Sequence, residues 1–481
     1  MKRILDSVHG YIYLDDALVR SFVDTPCFQR LRRIEQTSVR AVFPSARHDR
    51  FIHSLGVYAI GRRIVDSIKS KGDDFVYNET IHTPFFNSYL VACLMHDCAH
   101  TPFSHTFEEY FKHDTDELPS LLKGEMEEPD VFETDRFDAN GEEIPIAPHE
   151  YLSAILCLKK YKEPIKNYHA IPDMVARMIV GIQYKNGHSF ENCLISLIHG
   201  DIIDADRLDY ACRDRWASGY STSTIDVARL ISSLHIKKTG DATYSVCYDS
   251  AALHDIQGVL AVKEFQQKYV VNHHTVCYEQ FLLKKAMEHS VYRLLHNGND
   301  SNDEEEVTSS LKTFCQPNIL WNGIHEYSLN IDFLSDDDFV VLMKKYLADN
   351  QYAKQWFGRQ YSMKPLWKSK ADYYSLFPNK RTEQLNEYNS VYRLCDPYNL
   401  RSNFAENLES DDILRLDAKE KVTHISNHLQ ILTKQGDIKS YEDLFGTQEP
   451  DTKTLFFYLY LSPKAMIYKD EIINILNTVE F

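Results

Sequence analysis

Residues 91–105 read Val-Ala-Cys-Leu-Met-His-Asp-Cys-Ala-His-Thr-Pro-Phe-Ser-His. The residues before His96 are apolar on every side, which predicts a helix buried in the core. An adjacent His96 and Asp97 at the end of such a helix would be costly to bury without partners. Neutral imidazole and carboxylate together suit a divalent cation. The stretch therefore predicts a helical core around a metal site, and a buried polar cluster held by hydrogen bonds alone is the alternative.

More ionisable groups follow within the next turns. His100 lies four residues after His96, so on a continuous helix the two would share a face. Pro102 predicts the first turn of a new helix. That helix would carry His105 and Glu108 on one side, three residues apart.

Two other segments predict partners for this stretch. His53 lies near the start of an amphipathic helix, although a single histidine in such a place is more often structural than a ligand. Further along, Asp206, Tyr210 and Asp214 fall on one side of a helix. Asp204, Asp206 and Asp209 fall within six residues, and because apolar residues interleave with these three, solubility does not explain them. One of these aspartates is predicted to complete the cation site.

Composition limits the class of protein. The 481 residues include 43% hydrophobic residues, which is ample for one large core with appendages or for two to three domains. The net charge of −17 argues against a constitutive nucleic-acid binder. Ten cysteines without any CxxC spacing are typical of reduced, buried thiols. Because we find neither a secretory signal nor a run of about 18 apolar residues, we expect a soluble, cytoplasmic protein without a membrane partner.

The remaining segments differ in character. Residues 25–36 are predicted to be helical from Pro26 onward. Residues 114–143 are rich in acids and interrupted by proline and glycine, which predicts an exposed or mobile insertion. A helix is expected over 151–158, a polar linker after Gly298, a capped helix from Phe333, and a buried strand from Leu455.

Several motifs resemble one known family. His53, His96, Asp97 and Asp206 match the H…HD…D pattern of the HD-domain metal phosphohydrolases. The surrounding segments resemble the deoxynucleoside triphosphate triphosphohydrolase branch, in the same order along residues 1–300. They read Asp6-Ser-Val-His-Gly, Asp24-Thr-Pro-Cys-Phe-Gln-Arg-Leu-Arg, Arg50-Phe-Ile-His-Ser-Leu-Gly, His96-Asp-Cys-Ala-His-Thr-Pro-Phe-Ser-His and Asp204-Ala-Asp-Arg-Leu-Asp-Tyr-Ala-Cys-Arg-Asp.

The resemblance implies a mainly α fold. Residues 1–300 would form an HD-type helical catalytic core with an acidic insertion at 114–146. Residues 301–481 would form a smaller α+β accessory region that supports assembly into a dimer or higher homo-oligomer.

The resemblance also implies a role for each matching residue. The metal ligands would be His53, His96, Asp97 and Asp206. The catalytic groups would be His100, His105, Glu108 and His149, with His105 supplying the leaving-group proton and His100 and His149 facing phosphate. The substrate-binding residues would be Gln36, Arg50, Arg207, Tyr210, Asp214 and Lys268. A nucleotide activator site would use Asp24, Gln29 and Arg32. The metal could be Fe, Mn, Mg, Co, Ni or Zn, because this ligand set accommodates them all.

The chain departs from the family pattern at several positions. Glu108 stands where the family usually has Asp, and Arg207 where Lys is common. Residues 268–278 keep Lys268 but lack the Arg-rich stretch, and the sugar-stacking Tyr falls on Val276 or, with a shift of two, on Tyr278. Leu5 replaces a polar residue expected beside the activator site.

The function implied is metal-dependent hydrolysis of deoxynucleoside triphosphates to nucleoside and inorganic triphosphate. One alternative is an HD phosphohydrolase that acts on a different nucleotide or phosphoester, which the altered segment 268–278 favours. The other is a non-catalytic nucleotide-binding regulatory protein, although a purely structural core has no need of a full metal site.

Overall fold

Helices dominate the fold. The computed structural model describes residues 1–71, 75, 77–111, 117–200, 203–220, 225–240, 243–380, 385, 388–404, 407–422, 424–447 and 452–479. Within these residues most of the chain is helical, and the strands form three small sheets. This confirms the prediction of a mainly α fold with a smaller part that contains strands.

The helices of the first 300 residues are α1 Asp16–Leu18, α2 Pro26–Gln29, α3 Arg50–Lys71, α4 Glu79–Met95, α5 Glu117–Glu125, α6 Pro129–Asp135, α7 Pro148–Lys160, α8 Lys162–Asn167, α9 Pro172–Val180, α10 Ser189–Ser196, α11 Ala205–Ser218, α12 Val227–Ser233, α13 Leu253–Gln266 and α14 His274–Leu295. Those that follow are α15 Glu304–Phe314, α16 Ile319–Asn322, α17 Asp336–Lys345, α18 Gln351–Gly358, α19 Lys370–Leu376, α20 Ser390–Leu394, α21 Pro397–Arg401, α22 Tyr441–Phe445 and α23 Lys469–Thr478.

The strands are β1 Lys2–Asp6, β2 Gly10–Leu14, β3 Leu234–Lys238, β4 Tyr244–Asp249, β5 Lys364–Pro365, β6 Ile413–Val422, β7 Gln430–Leu432, β8 Ile438–Ser440 and β9 Thr452–Leu461. The first two form a hairpin, and the sheet orders of the others are β3-β4-β7-β8 and β5-β9-β6. Strand β4 pairs in parallel with β7, with Cys247 opposite Gln430. Strands from the accessory region thus complete a sheet that begins in the first 300 residues.

Helices α3, α4 and α11 form the centre of the catalytic region. Every residue of α4 from Ser88 to Met95 is buried, as the apolar run predicts. Two glycines of α3 allow close approach to its neighbours. A Cβ at Gly61 would lie 2.6 Å from Cys93 Sγ of α4, and one at Gly56 would lie 1.9 Å from Asp209 Oδ1 of α11. Only glycine fits at these contacts.

Some predicted elements agree with the structure and others do not. The helices expected at α3, α7, α11 and α17 are present, as is strand β9. The predicted helix over 25–36 is wrong in extent, because α2 gives way to a 3₁₀ turn, Arg30–Arg33, and regular structure ends there.

The expectations after residue 95 are also wrong. Helix α4 ends at Met95, so His96 is its C-cap and His100 does not continue the same helical face. The helix expected after Pro102 is replaced by two 3₁₀ turns, Ser104–Thr106 and Glu108–Tyr110. The physical reason is that Phe103 and Ser104 have positive φ angles of 54° and 52°, which cannot continue a right-handed helix.

The acidic segment is largely folded. Helices α5 and α6 lie within it, pack beside α7 and bury Leu118, Leu122 and Phe132. Asp135 forms an ion pair with Arg177 of α9, with 2.9 Å between Oδ2 and Nη1. Residues 117–135 are therefore largely helical, whereas residues 137–147 contain no helix and none of them is buried, and residues 114–116 lie outside the described part of the chain.

Two hydrophobic clusters organise the chain. The larger includes α3, α4, α7, α9 and also α15 to α17, which pack against the catalytic region. The smaller surrounds β6 and β9 and draws its buried residues mainly from positions beyond 365. The domain boundary at residue 300 stays a prediction, since α15 to α17 bury their apolar faces in the first cluster.

Candidate active site

Four side chains converge where α3, α4 and α11 meet. His53 Nε2 lies 3.3 Å from His96 Nε2 and 3.0 Å from Asp206 Oδ1. Asp97 Oδ2 lies 3.5 Å from each of the two Nε2 atoms, and His96 Nε2 is 3.5 Å from Asp206 Oδ1. Of the four residues, Asp206 is the most exposed, with 35% of its side chain accessible. The structure therefore brings together the four residues predicted as metal ligands.

Each histidine is held by its second ring nitrogen. His53 Nδ1 donates a hydrogen bond to Asp209 Oδ2 at 2.7 Å, and His96 Nδ1 donates to the carbonyl oxygen of Cys93 at 3.1 Å. These partners fix the tautomers and leave both Nε2 atoms facing the other ligands. Arg50 Nη1 donates to Asp97 Oδ2 at 2.5 Å.

The arrangement fits a divalent metal ion. Nitrogen and oxygen ligands bind such ions at about 2.0–2.2 Å, so neighbouring ligand atoms on one ion stand about 3–3.5 Å apart. The five separations given above, each of which involves an imidazole, fall in that range. The set also combines two imidazoles with two carboxylates, which suits first-row transition metals and accepts harder ions.

The electrostatics of the cluster favour positive charge. Burial lowers the pKa of His53, but the carboxylates of Asp206 and Asp209 outweigh burial and raise it to about 10. Burial raises the pKa of Asp206, but hydrogen bonds to His53 and His96 hold it well below its usual range. A site that draws a proton so strongly is one where a cation is stabilised.

A second cluster lies just beyond the turn at Phe103. The ring centroids of His100 and His149 are 4.6 Å apart, and His105 lies 5.0 Å from His100. Glu108 joins the cluster, since its Oε2 accepts from His105 Nδ1 at 2.8 Å and its Oε1 accepts from His149 Nδ1 at 2.6 Å. The structure therefore brings together all four residues predicted to be catalytic.

The protonation of this cluster is governed by Glu108. Burial raises its pKa, but hydrogen bonds from His105 and His149 outweigh burial and hold the pKa far below its usual value. In return Glu108 raises the pKa of His149 against the opposing effect of burial. His100 has no such partner, and burial together with nearby Arg50 lowers its pKa well below the ordinary value.

Helix α11 connects the first cluster to the predicted substrate residues. Asp206, Tyr210 and Asp214 follow each other at helical spacing, as predicted. His48 Nε2 lies 2.7 Å from Asp214 Oδ1, so this carboxylate is held in place. The nearby side chain of Gln36 is buried.

Several predicted substrate residues have buried polar atoms without a hydrogen-bond partner among the described residues. They are Nε and Nη1 of Arg207, both ring nitrogens of His100, and Oε1 of Gln36. Such atoms are rare in folded proteins, because each leaves a desolvation cost uncompensated. Comparable atoms occur elsewhere in the described chain, Tyr58 Oη and Arg177 Nη2 among them, so those of Arg207, His100 and Gln36 are suited to a polar ligand but do not by themselves define a pocket.

The segment 268–278 does not supply the aromatic group that the family pattern places there. Lys268 Nζ lies 5.3 Å from the ring centre of Tyr269. Val276 is buried in a small cluster with Val39 and other apolar side chains. Tyr278 packs in the second core, where its ring stacks on Tyr460 at 5.0 Å. Tyr278, which matches the family tyrosine only with a shift of two residues, is therefore part of the second hydrophobic cluster.

The predicted activator residues lie near the N-terminal hairpin. Arg32 Nε donates to Gln29 Oε1 at 2.8 Å, and the Arg32 guanidinium covers the ring of Phe51 at 3.5 Å. Asp24 binds Lys2, with 3.1 Å between Oδ1 and Nζ, and Leu5 is 68% exposed. These contacts leave an exposed polar surface here, and its role stays a prediction.

Sequence reasoning missed the network behind His53. Asp209 accepts from His53 and lies 2.6 Å from His9 Nε2, while Arg213 binds both Asp209 and Asp6. One signal was available: Asp209 and Arg213 stand four residues apart on a helix, which is the spacing of an ion pair. Asp6 and His9 belong to the motif Asp6-Ser-Val-His-Gly, for which the sequence predicted no role.

Comparisons with known proteins agree with this architecture. The family model of the HD domain matches residues 50–178. A phosphohydrolase from Bacteroides thetaiotaomicron superposes with a TM-score of 0.59 at 18% identity, covering 96% of this chain and 99% of that one, which shows a shared fold. The family match and the His–Asp cluster identify an HD domain within the chain, and together with the shared fold they support a metal-dependent phosphohydrolase.

By sequence the chain is similar to a bacterial protein over most of its length and to a triphosphohydrolase over a shorter segment. It is 26% identical to the YwfO protein of Bacillus subtilis over 403 residues, which are 83% of this chain and 75% of that protein. It is 42% identical over 112 residues to the human deoxynucleoside triphosphate triphosphohydrolase SAMHD1, which are 23% of this chain and 17% of that protein. Other relatives it matches are longer, and the chain spans about half of their length. Among the described residues no helix is long and apolar enough to cross a membrane.

Proposed function

We propose that the protein hydrolyses deoxynucleoside triphosphates, releasing nucleoside and inorganic triphosphate with the help of a divalent metal ion. The observation that carries the proposal is that helix α11 bears both Asp206, in the metal-type cluster, and Tyr210 and Asp214, the residues matched to sugar binding. One rigid helix would then hold the metal and the sugar at a fixed spacing. The similarity to the human triphosphohydrolase supports the same substrate class.

In this proposal the ion is bound by His53, His96, Asp97 and Asp206. Such an ion supplies Lewis acidity and neutralises charge at phosphorus. Hydrolysis also needs anchors for the phosphates. The unpaired N–H groups of Arg207 and the unpartnered ring of His100 are suited to that role, since phosphate oxygens would satisfy these buried atoms.

The leaving oxygen requires a proton. His105 is 63% exposed and donates Nδ1–H to Glu108, so its Nε2 faces away from the carboxylate. We assign His105 as the group that delivers the proton, with Glu108 orienting the imidazole and stabilising its charged form. Glu108 also accepts from His149, so one carboxylate positions two of the three imidazoles.

The product distribution tests the proposal. The purified protein is incubated with each of the four deoxynucleoside triphosphates and with Mn²⁺ or Mg²⁺, and the products are separated by ion-exchange chromatography. Nucleoside and triphosphate in equal amounts are expected. Pyrophosphate or orthophosphate as the first product would contradict the assigned bond cleavage.

A second candidate is a phosphohydrolase that acts on a different nucleotide or phosphoester. It is favoured by residues 276 and 278, since Val276 is packed in an apolar cluster and Tyr278 in the second core. No aromatic ring from these two positions is then available to stack on a deoxyribose. Running the same assay with ribonucleotides, monophosphates and cyclic nucleotides separates the two candidates by their relative kcat/KM.

The double variant His96→Ala, Asp97→Ala distinguishes an enzyme from a non-catalytic nucleotide-binding protein. Loss of hydrolysis with an unchanged circular dichroism spectrum is expected. The matched control is His188→Ala, because His188 is an exposed histidine that pairs with Glu191 and belongs to neither cluster. Hydrolysis that survives in the double variant would remove the assigned site.

We further propose that Asp24, Gln29 and Arg32 bind a nucleotide activator, that the chain forms a homo-oligomer, and that it acts in the cytoplasm. The exposed surface around Asp24 and Arg32 supports the first of these proposals. Sedimentation velocity with and without a non-hydrolysable nucleotide tests the first two together. A lone monomeric species under both conditions, with activity independent of added nucleotide, would contradict them.

A further inference from the structure

The turn between His100 and His105 of the second cluster has an unusual backbone. Phe103 and Ser104 are consecutive non-glycine residues with φ angles of 54° and 52°. Side chains disfavour this conformation, so it persists only where the surroundings fix it. The residues that fix this turn therefore control the position of whatever follows from it.

Asp336 makes the contact that fixes the turn. Its Oδ1 accepts a hydrogen bond from the Phe103 backbone N–H at 2.6 Å, and its Oδ2 accepts from the Glu35 backbone N–H at 2.9 Å. Asp336 is the first residue of α17, in the accessory region, and only 9% of it is exposed. A single carboxylate from the accessory region thus joins two separate segments of the catalytic region.

The turn is also linked through Arg50 to Asp97, one of the predicted metal ligands. Ser104 Oγ donates to the carbonyl oxygen of Glu35 and accepts from Arg50 Nε at 2.9 Å. Arg50 Nη1 then donates to Asp97 Oδ2 at 2.5 Å. The contacts run without a break from Asp336, through the two backbone segments, to Asp97.

Apolar contacts seat the same helices against this turn. The ring of Phe339 in α17 lies 5.1 Å from that of Phe107, in an edge-to-face arrangement. Trp356 of α18 packs edge-to-face on Phe103 at 6.2 Å. These rings pack on one side of the turn, while Asp336 supplies the directional hydrogen bonds.

We propose that Asp336 is a positioning residue for the metal centre. It holds the turn at Phe103 and the backbone of Glu35, so that Ser104 orients Arg50 and Arg50 orients Asp97. The accessory region is therefore part of the machinery of the site as well as a packing module. The activity readout of this inference rests on the proposed function, whereas its metal-binding readout does not.

The surroundings of Asp336 disfavour the charged form of its carboxyl group. Burial and the neighbouring Glu35 carboxyl raise the pKa of Asp336 to about 8, against the effect of its two backbone hydrogen bonds. Burial of this carboxyl group is therefore unfavourable by itself, and its two hydrogen bonds to the backbone offset part of that cost. The contact with Phe103 and Glu35 is what it provides there.

The test compares Asp336→Ala with two controls in the full-length chain. Asp337→Ala removes the next side chain of α17, which is exposed and lies 3.4 Å from Arg33 Nη1. Leu342→Ala removes a buried apolar side chain of α17 and weakens its packing without touching the turn. For each variant the Mn²⁺ affinity is measured by competition with a chelating dye, together with kcat, KM and the melting temperature.

Asp336→Ala is expected to lose about tenfold in Mn²⁺ affinity, the lower end of the range seen when partners behind metal ligands are removed. Its kcat should fall and its KM should rise, because Arg50 and Gln36, which are predicted to bind substrate, adjoin the segments that Asp336 holds. Asp336→Asn keeps one acceptor oxygen and should give intermediate values. Asp337→Ala should behave as wild type, and Leu342→Ala should lower only the melting temperature.

The proposal is overturned if Asp336→Ala keeps wild-type Mn²⁺ affinity and kcat while it melts as early as Leu342→Ala. If Asp336→Ala does not fold, wild-type affinity and kcat in Asp336→Asn overturn it equally. A weakened Mn²⁺ affinity in a protein that hydrolyses no nucleotide would remove the proposed function and leave the positioning role supported.

Discussion

The two histidine clusters use the same residue types in opposite ways. At the metal-type cluster, carboxylates and imidazoles point at one another through His53 Nε2 and Asp206 Oδ1, and each imidazole is anchored from behind. At the second cluster, the carboxylate itself is the anchor, because Glu108 accepts from the Nδ1 atoms of His105 and His149. The first arrangement concentrates ligand atoms on a point, and the second leaves ring nitrogens available to a substrate.

The difference shows that residue type alone does not define a role. A histidine whose Nδ1 is bound and whose Nε2 faces carboxylates is arranged as a ligand. A histidine whose Nδ1 is bound to a carboxylate and whose Nε2 faces away from it is arranged to move a proton. The two clusters adjoin in the chain, with His100 three residues after Asp97, but each is held by its own hydrogen bonds, so substitutions in one or the other should have separable effects.

Asp206→Ala is expected to have the largest effect, because it removes a ligand of the first cluster. Both bound metal and hydrolysis should be lost, with kcat/KM reduced about 10⁴-fold or more. Metal content after gel filtration, measured by plasma mass spectrometry, and nucleotide turnover check this. Asp226→Ala, which removes an N-capping aspartate of α12, is the matched control and should keep both properties.

Glu108→Gln should disrupt the hydrogen bonds of the second cluster and leave metal binding at the first cluster unchanged. The variant loses the charge that positions His105 and His149, so kcat is expected to fall about 10²-fold. Metal content should match that of the wild type, which is the sharpest distinction between the clusters. Glu109→Gln, whose native side chain is exposed and binds Lys284, serves as the control. Loss of metal in Glu108→Gln would show that the clusters are one site.

Asp209→Asn tests the support behind the first cluster. The amide can still meet His53 but no longer carries the charge shared with His9 and Arg213. Metal affinity is expected to fall about 10- to 100-fold, the usual range for such partners. Titration with Mn²⁺ measures it, and an unchanged affinity would mean that the network serves stability alone.

The buried carboxyl groups of Glu35 and Asp336 give the smallest expected effect, which is a fall in the stability of the folded protein as pH rises. Burial raises the pKa of Glu35 to about 7, and burial with the Glu35 carboxyl raises that of Asp336 to about 8. The folded state therefore holds protons that the unfolded state releases, so stability should fall as pH rises from about 5 to about 8. Asp336→Asn should flatten the dependence of the melting temperature on pH. A wild-type slope in that variant would contradict the assignment.

The sequence predicted those parts of the fold and site that depend on local pattern. Helices α3, α4 and α11 follow from apolar spacing, and the residues that meet between them were identified from matched motifs. The turn at Phe103 was not predictable, because its positive φ angles accompany a hydrogen bond that the Phe103 backbone N–H donates to Asp336, 233 residues further along. Local propensity carries no information on such a contact.

The folded acidic segment was missed for a related reason. Its charge and its prolines indicate a loop, yet Leu118, Leu122 and Phe132 find an apolar surface on neighbouring helices. Tertiary burial outweighs local composition there. The boundary at residue 300 stays a prediction, since α15 to α17 belong to the first hydrophobic cluster.

The parallel pairing of β4 with β7 affects how the chain folds during synthesis. A ribosome that has made residue 300 has already made every residue predicted to take part in catalysis. Strand β4 nevertheless keeps an open edge until β7, in which Gln430 pairs with Cys247, has emerged. Pairings between distant segments form late, and an open strand edge invites association with other chains. Completion of this sheet therefore links the solubility of the newly made catalytic half to the synthesis of the last quarter of the chain.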